Sequence, residues 1–382
     1  MKKAMAVCLA LTLMSGCVAC YAEEETTVEA EAMQENGNFD ENDGPGENGE
    51  FGGPGKEGGR GEFRGPGGRE DLDENGGPQG DGGFGGHGGP GGMNGGGMAT
   101  DKSGDEELQA MIAEVKDKFT TGEYTDEETG LTVPYDLYLP EDFDASQSYP
   151  MVVFIGDATT VGTDLEYSLT QGWGGIVWAT EEEQTKHEAV VLVPVFPETV
   201  IDDNNGSNKS DYLDLVPRMI ASVAEEYSVD TDRIYGTGQS MGAMTTLYTA
   251  ANNPDLYAAV LIVDGQWDTA ELAGLETQKI VYIAAGGDMK ASQGQTDVKA
   301  MFDELGVSYA EDSGWDAQAD AETLAGLCGD LFARGESLNF ITWEAGTVLN
   351  GSGGSEHMAS FDYAYKLTAV RDWLFAQSRS DA

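Results

Sequence analysis

Short, continuously apolar runs that alternate with helical patterns constrain the fold of this chain more than any other feature. Residues 151–155 and 189–193 are apolar throughout, as in strands buried on both faces of a parallel sheet. Residues 131–139 alternate apolar and polar side chains, which is typical of a strand with one covered face. Further predicted strands are 233–236, 258–263, 280–284 and 338–343.

Helical spacing of apolar residues fills the intervals between these strands. A first helix is predicted from the spacing of Leu108, Met111, Ile112 and Val115. Repeated strand–helix order predicts an α/β fold with a doubly wound, mostly parallel sheet and active-site loops at the carboxyl ends of its strands. Further helices are predicted at 213–227, 241–252, 297–305, 317–334 and 361–376.

The composition divides the chain into three parts. Residues 1–20 have the pattern of a secretion signal, with two lysines, an apolar run shorter than the roughly 20 residues of a membrane span, and small residues. Residues 21–104 are rich in Gly and acidic residues and bury too little apolar surface to offset chain entropy, so we expect a disordered linker. Residues 105–382 are predicted to form the folded domain.

The end of the predicted signal, Met14-Ser15-Gly16-Cys17, resembles the bacterial lipobox, in which the cysteine is acylated after cleavage. Cys20 is an alternative acylation site, and simple secretion is an alternative to lipidation. We therefore expect an extracytoplasmic protein that meets the membrane only through a lipid on Cys17.

The charge of the chain excludes one class of partner. The formal net charge is −49, and residues 105–382 carry 50 Asp and Glu against 13 Lys and Arg. Such a field repels nucleic acids and other polyanions, so we expect no nucleic-acid partner.

A nucleophile motif stands between a predicted strand and a predicted helix. The segment Gly238-Gln239-Ser240-Met241-Gly242 fits G-x-S-x-G, in which the glycines permit a sharp turn that projects the serine hydroxyl. Ser240 is therefore the predicted nucleophile.

A serine hydroxyl needs a base, and the chain has three histidines. His87 lies in the predicted linker, and His187 precedes the 189–193 strand, at the wrong end of the sheet. His357 follows a Gly-rich loop and is expected to precede the last helix, where the chain order Ser, acid, His places the base. His357 is therefore the predicted base.

The acid of a triad orients the imidazole and stabilises its charged form. Asp288 follows the predicted strand 280–284 through a Gly-Gly turn, at the position expected for this acid. Asp264 and Asp268, which follow the preceding strand, remain alternatives.

The other site residues are predicted from loop positions. Two backbone N–H groups should hold the oxyanion, one from Met241 and one from Asp157 or Ala158. The loop 202–208 is rich in oxygen ligands, but it lacks a full calcium pattern, and a polar helix-capping loop is the preferred interpretation. No metal or other cofactor is expected. The predicted pocket residues are Gln171, Trp173, Gln266 and Trp267.

From about residue 131 to residue 375 the chain resembles secreted α/β-hydrolase esterases related to polyhydroxybutyrate depolymerases, feruloyl and acetylxylan esterases, and the catalytic domain of prolyl-oligopeptidase-type peptidases. The resemblance implies an α/β-hydrolase fold with Ser240, Asp288 and His357 as its triad. The family usually has His-Gly after its oxyanion strand, whereas this chain has Gly156-Asp157, and an inward-pointing carboxylate there would oppose an oxyanion. The resemblance is carried by residues 133–140, 149–154 and 229–235, the serine motif, and Glu356-His357.

These observations predict a serine hydrolase that cleaves carboxylic esters, on small molecules or linked to polymers, through an acyl-enzyme. One alternative is a serine peptidase of the prolyl-oligopeptidase type, which shares the triad. Another is a surface binding protein on a hydrolase scaffold that has lost turnover.

Overall fold

The computed structural model describes residues 102–381. The predicted signal, and the predicted linker apart from residues 102–104, lie outside the described residues, as do Cys17, Cys20 and His87.

The strands of residues 102–381 form one large sheet and one short hairpin. In chain order they are β1 Thr120–Thr125, β2 Thr132–Tyr138, β3 Tyr149–Ile155, β4 Val190–Pro194, β5 Ile201–Asp202, β6 Asn208–Lys209, β7 Val229–Gln239, β8 Ala259–Val263, β9 Ile280–Ala285, β10 Ala310–Trp315 and β11 Leu338–Trp343. The nine-stranded sheet has the order β1-β2-β4-β3-β7-β8-β9-β11-β10, and β5 pairs with β6. Within the large sheet β2 is antiparallel to both its neighbours, and the other pairs are parallel.

Helices cover both faces of the large sheet. They are α1 Glu106–Val115, α2 Leu165–Thr170, α3 Trp173–Ile176, α4 Glu181–Lys186, α5 Tyr212–Glu226, α6 Met241–Asn252, α7 Met289–Leu305, α8 Ala321–Phe332, α9 Glu356–Lys366 and α10 Thr368–Phe375. Apolar residues of α5, α6 and α7 pack on one face. Those of α1, α3, α8, α9 and α10 pack on the other. This arrangement confirms the predicted doubly wound, mostly parallel α/β-hydrolase fold.

The core explains why the central strands are apolar throughout. β3, β4, β8 and β9 are buried at every position because helices cover them on both sides. Among the described helices, none combines the length and the apolar content needed to cross a membrane.

Several elements differ from the sequence prediction. The edge strands β1 and β10 were not predicted, because both are polar and mostly exposed. Helix α7 begins at Met289 rather than at 297, since its first turns carry small and polar residues under the cap of Asp288. The predicted last helix is two helices that meet at Leu367, and His357 lies in the first turn of α9, ahead of the last helix α10.

Candidate active site

The serine turn joins the centre of the sheet to α6. Ser240 connects β7 to α6 with φ 52° and ψ −117°, a backbone conformation that non-glycine residues rarely adopt. The turn is tight enough that a Cβ atom at Gly242 would lie 1.9 Å from the carbonyl oxygen of Ile155. The glycines of the motif therefore let α6 approach β3, and the turn holds the Ser240 hydroxyl at the carboxyl end of the sheet.

Ser240, His357 and Asp288 form one hydrogen-bonded chain. Ser240 Oγ lies 2.8 Å from His357 Nε2, and His357 Nδ1 lies 2.5 Å from Asp288 Oδ2. An ionised carboxylate can only accept hydrogen bonds, so Nδ1 carries the hydrogen and Nε2 is free to accept from the Ser240 hydroxyl. The three side chains come from β7, the β9–α7 loop and α9, and their arrangement is that of a nucleophile, a base and an orienting acid.

The pKa values of His357 and Asp288 favour this arrangement. Burial lowers the pKa of His357, but the hydrogen bond and charge of Asp288, with smaller effects of Asp264 and Asp157, bring it above its ordinary value. Burial raises the pKa of Asp288, but His357 and the backbone N–H groups of α7 hold it below the ordinary value. Asp288 therefore stays ionised and supports a positive charge on the imidazole.

The predicted oxyanion donors divide between two neighbouring cavities. Met241 and Ala158 line a cleft of about 790 Å³ together with Ser240 and His357. The N–H of Met241 is at the first position of α6, where no helical partner exists. Asp157 instead lines a separate cavity of about 470 Å³.

The carboxylate of Asp157 is held by local partners. Its Oδ1 accepts from the N–H of Thr159 at 2.8 Å and from the hydroxyl of Thr159 at 2.6 Å, and its Oδ2 accepts from Gln239 Nε2 at 2.8 Å. These bonds cap the short 3-10 turn after Asp157 and tie it to the residue before the nucleophile. The carboxylate is occupied by these donors rather than directed into the cleft.

Of the four predicted pocket residues, Gln266 lines the cleft of Ser240. Gln171 lines the neighbouring cavity with Asp157. Trp173 is buried under α9, and the ammonium of Lys366 lies over its ring, 4.6 Å from the ring centroid. Trp267 is also buried, and its indole N–H donates to Glu271 at 2.7 Å. Neither ring lines the cleft of Ser240, which differs from the prediction: Trp173 lines a different cavity with Lys366, and Trp267 lines another with Asp268.

The cleft has a polar wall that the sequence did not predict. The loop between β5 and β6 places Asp203 against the cleft, where its carboxylate accepts from Gln266 Nε2 at 2.8 Å and from Lys290 Nζ at 3.1 Å. Lys290 also lies 3.4 Å from Oδ1 of Asn204. Among residues 102–381 no group of three acidic, His or Cys side chains is placed to hold a metal. The sequence indicated that this loop is polar. It could not predict the contacts with α7, because Asn204 and Asp203 lie 86 and 87 positions from Lys290 in the chain.

The alternative residues lie elsewhere. Asp268 is exposed and caps a 3-10 turn by accepting from the N–H of Ala270 at 3.0 Å. Asp264 is fully buried and does not bond to the imidazole. His187 pairs with Asp372 at 2.8 Å on α10, away from the cleft.

The comparisons with known proteins agree with this fold. A family match to Esterase covers residues 127–322, slightly more than half of the 382 residues. A solved thermostable esterase is 25% identical with a TM-score of 0.56 over 69% of this chain, and this chain spans 64% of that protein. Comparison with curated proteins gives no match.

Two further solved structures are similar at lower identity. A ferulic acid esterase is 12% identical, with a TM-score of 0.44 over 67% of this chain and 96% of its own. An S-formylglutathione hydrolase from Staphylococcus aureus is 13% identical, with a TM-score of 0.43 over 67% of this chain and 98% of its own. The family match confirms the predicted class of enzyme, a carboxylic ester hydrolase, and the chain belongs to the Esterase family.

Proposed function

We propose that this protein hydrolyses carboxylic esters with Ser240 as nucleophile, His357 as general base and Asp288 as the orienting acid. The single observation that carries the proposal is the continuous hydrogen-bonded chain of these three side chains at the strained turn of Ser240. Membership of the Esterase family supports the ester as the bond that is cleaved.

The geometry supports a two-step reaction. His357 Nε2 takes the proton of Ser240 as Oγ attacks the ester carbonyl, and the negative oxygen that forms is stabilised by the N–H groups of Met241 and Ala158. The tetrahedral intermediate expels the alcohol, which takes the proton from His357, and leaves an acyl group on Ser240. Water then attacks the acyl group and gives a proton to His357, and Ser240 Oγ takes that proton as the acid leaves.

The test is hydrolysis of p-nitrophenyl acetate by the purified full chain and by Ser240→Ala and His357→Ala. Loss of the nucleophile or the base should reduce kcat by about 10⁴-fold or more. The matched controls are Ser228→Ala, a second serine with φ 52° on a surface turn, and His187→Ala, a second histidine paired with an aspartate. Both controls should retain wild-type rates.

A fluorophosphonate probe extends this test to substrates not yet identified. Covalent labelling of the wild type that Ser240→Ala abolishes supports an activated serine independently of the ester chosen. Absence of both labelling and turnover in the folded wild type would favour the non-catalytic binding protein. Turnover of p-nitroanilides in preference to the matching esters would favour the peptidase.

The polar wall of the cleft favours esters of small, hydrophilic groups, either free or linked to a polymer. Asp203, Asn204 and Lys290 offer charged and hydrogen-bonding atoms where a long acyl chain would need apolar contacts. We expect kcat/KM to be at least about tenfold higher for p-nitrophenyl acetate than for the decanoate ester, because a long acyl chain would desolvate the charged groups of Asp203 and Lys290. A preference for the decanoate ester would contradict this substrate class.

We also propose that the protein is exported and anchored through a lipid on Cys17. The support is the sequence Met14-Ser15-Gly16-Cys17 after a short apolar run. Metabolic labelling with an alkyne fatty acid should mark the wild type and Cys20→Ser but not Cys17→Ser. Labelling that follows Cys20 would move the anchor, and labelling of neither would leave simple secretion.

A further inference from the structure

Asp264 is a buried carboxylate that no step of the reaction above uses. It follows β8 directly and has no exposed surface. Its Oδ1 accepts from the backbone N–H of Ala285 at 2.7 Å. Ala285 is the last residue of β9, three positions before Asp288, so Asp264 holds the start of the loop that carries the acid of the triad.

The second oxygen of Asp264 binds the helix that carries the base. Asp264 Oδ2 accepts from the hydroxyl of Ser360, which is fully buried in α9. The Ser360 hydroxyl also lies 3.1 Å from the carbonyl oxygen of His357, three positions earlier. One carboxylate therefore joins the end of β8, the end of β9 and the first turn of α9.

The backbone of Asp264 is itself in an unusual conformation. Its φ is 45°, in the left-handed region, and its N–H donates to the carbonyl oxygen of Ile283 at 3.0 Å. Residues other than glycine persist in this region only where the surroundings hold them. In this backbone conformation the side chain of Asp264 reaches both Ala285 and Ser360.

The charge of Asp264 is coupled to the triad. The pKa of Asp264 is raised to about 7, chiefly by burial and also by the negative charge of Asp288, against the lowering effects of Ser360, Ala285 and the charge of His357. In return, the negative charge of Asp264 raises the pKa of His357. The phenols of Tyr282 and Tyr365 also lie in the field of Asp264, and that of Tyr282 donates to the carbonyl oxygen of Gly265.

We propose that Asp264 is a positioning residue of the triad, which fixes the separation of Asp288 and His357 and, when ionised, favours the imidazolium that forms during catalysis. The proton moves from Ser240 Oγ to His357 Nε2, so the imidazolium forms beside the carboxylate of Asp288 and is further stabilised by the charge of Asp264. This inference rests on the proposed function, because it concerns the same triad.

The test compares Asp264→Asn with the wild type in the pH profile of kcat/KM for p-nitrophenyl acetate. We expect kcat to fall about tenfold with KM within about twofold, since the reacting atoms are displaced while the cleft is unchanged. We also expect the acid limb to move to lower pH by about 0.2–0.3 units, because Asp264, whose pKa is about 7, carries part of a negative charge where His357 titrates, and loss of that charge lowers the pKa of His357. The matched control is Asp268→Asn, which removes an exposed carboxylate from the same loop and should change neither quantity. An acid limb that stays in place in Asp264→Asn would overturn the proposal.

A second variant keeps the test decisive if Asp264→Asn does not fold. Ser360→Ala removes the link to α9 and leaves the carboxylate, and we expect a several-fold fall in kcat with little change in KM. Its control is Ser168→Ala, another buried serine, whose hydroxyl has no hydrogen-bond partner among the described residues. Equal kcat values for Ser360→Ala and Ser168→Ala would also overturn the proposal.

Failure of this inference is distinguishable from failure of the proposed function. A wild type that neither hydrolyses esters nor reacts with the fluorophosphonate overturns both. A wild type that does both, beside an Asp264→Asn enzyme with the same rate and the same pH profile, overturns the inference alone.

Discussion

Gly242 has no room for a side chain. A Cβ atom there would lie 1.9 Å from the carbonyl oxygen of Ile155 and 2.7 Å from that of Gly156, both backbone atoms that cannot rotate away. We expect Gly242→Ala to cost about 1–3 kcal/mol of unfolding free energy and to lower kcat by about 10²-fold, because α6 and β3 must separate at the oxyanion site. Urea unfolding and ester hydrolysis measure the two effects.

Gly326 provides the matched control for this substitution. It lies exposed within α8, and a Cβ atom there would meet nothing within 4 Å. Gly326→Ala should therefore raise the unfolding free energy by about 0.5–1 kcal/mol through helix propensity and leave kcat unchanged. A stable, active Gly242→Ala protein would show that the turn is looser than the structure indicates.

The raised pKa of His357 sets the pH dependence of activity. The imidazole must be neutral to accept the Ser240 proton, so kcat/KM should rise with pH and reach half its maximum above pH 6.5, the ordinary value for histidine. Asp288→Asn removes the charge that raises this pKa and favours the wrong tautomer. We expect its kcat to fall about 10⁴-fold, and its acid limb, where measurable, to move to lower pH. An acid limb below pH 6 in the wild type would contradict the assignment.

A buried ion pair joins α10 to α4. Arg371 Nε lies 2.7 Å from Glu183 Oε2, and the two side chains are 6% and 1% exposed. Arg371→Ala leaves the Glu183 carboxylate buried without its counter-charge, and we expect a loss of about 3–5 kcal/mol. The control is the exposed pair of Lys186 with Glu182 on α4, and Lys186→Ala should cost less than about 0.5 kcal/mol.

Chemical unfolding of the double variant Glu183→Gln/Arg371→Ala isolates the effect of the unpaired charge. Because the buried side chain at position 183 is then neutral, the double variant should be more stable than Arg371→Ala. Equal stabilities would mean that the loss came from the packing and hydrogen bonds of the arginine rather than from the unpaired charge of Glu183.

The sequence predicts an element well where the residue pattern of that element reflects its surroundings in the fold. β3 and β4 are apolar throughout because helices cover both faces, and that pattern is visible in the sequence alone. β1 and β10 lie at the edges of the sheet, and their exposed positions carry polar residues without a clear period. The break between α9 and α10 at Leu367 contains neither Gly nor Pro, so nothing local marks it.

The same contrast holds at the site. The positions of Ser240 and His357 were predictable because the G-x-S-x-G motif and the chain order Ser, acid, His can be read from the sequence alone. The polar wall formed by Asp203 and the contact of Asp264 with Ser360 depend on residues that are 63 to 96 positions apart. Such contacts exist only once the strands are ordered in the sheet, and no local pattern encodes them.

The charge of the whole molecule and its buried carboxylates act together on stability. A formal net charge of −49 disfavours the compact state through self-repulsion, which falls as carboxylates gain protons or as salt screens them. Asp136 in β2 is 3% exposed, and its Oδ2 has no hydrogen-bond partner in the described part of the chain. Burial, with a smaller contribution from Glu166, raises the pKa of Asp136 to about 6.

The sign of the resulting pH dependence follows from proton binding. Asp136 and Asp264 have pKa values of about 6 and about 7, against 3.8 for an ordinary Asp, so the folded state binds more protons than the unfolded state between pH 4 and 7. Stability should therefore fall as pH rises through this range, and we expect the Tm of the full chain to be several degrees higher at pH 5 than at pH 8. In 0.5 M NaCl the surface repulsion is screened, so the remaining dependence reports the buried groups. Asp136→Asn should reduce this remaining pH dependence of the Tm, whereas Asp142→Asn, which removes an exposed carboxylate, should leave it unchanged. A Tm in high salt that does not change between pH 5 and pH 8 would show that neither buried carboxyl retains its proton in the folded protein.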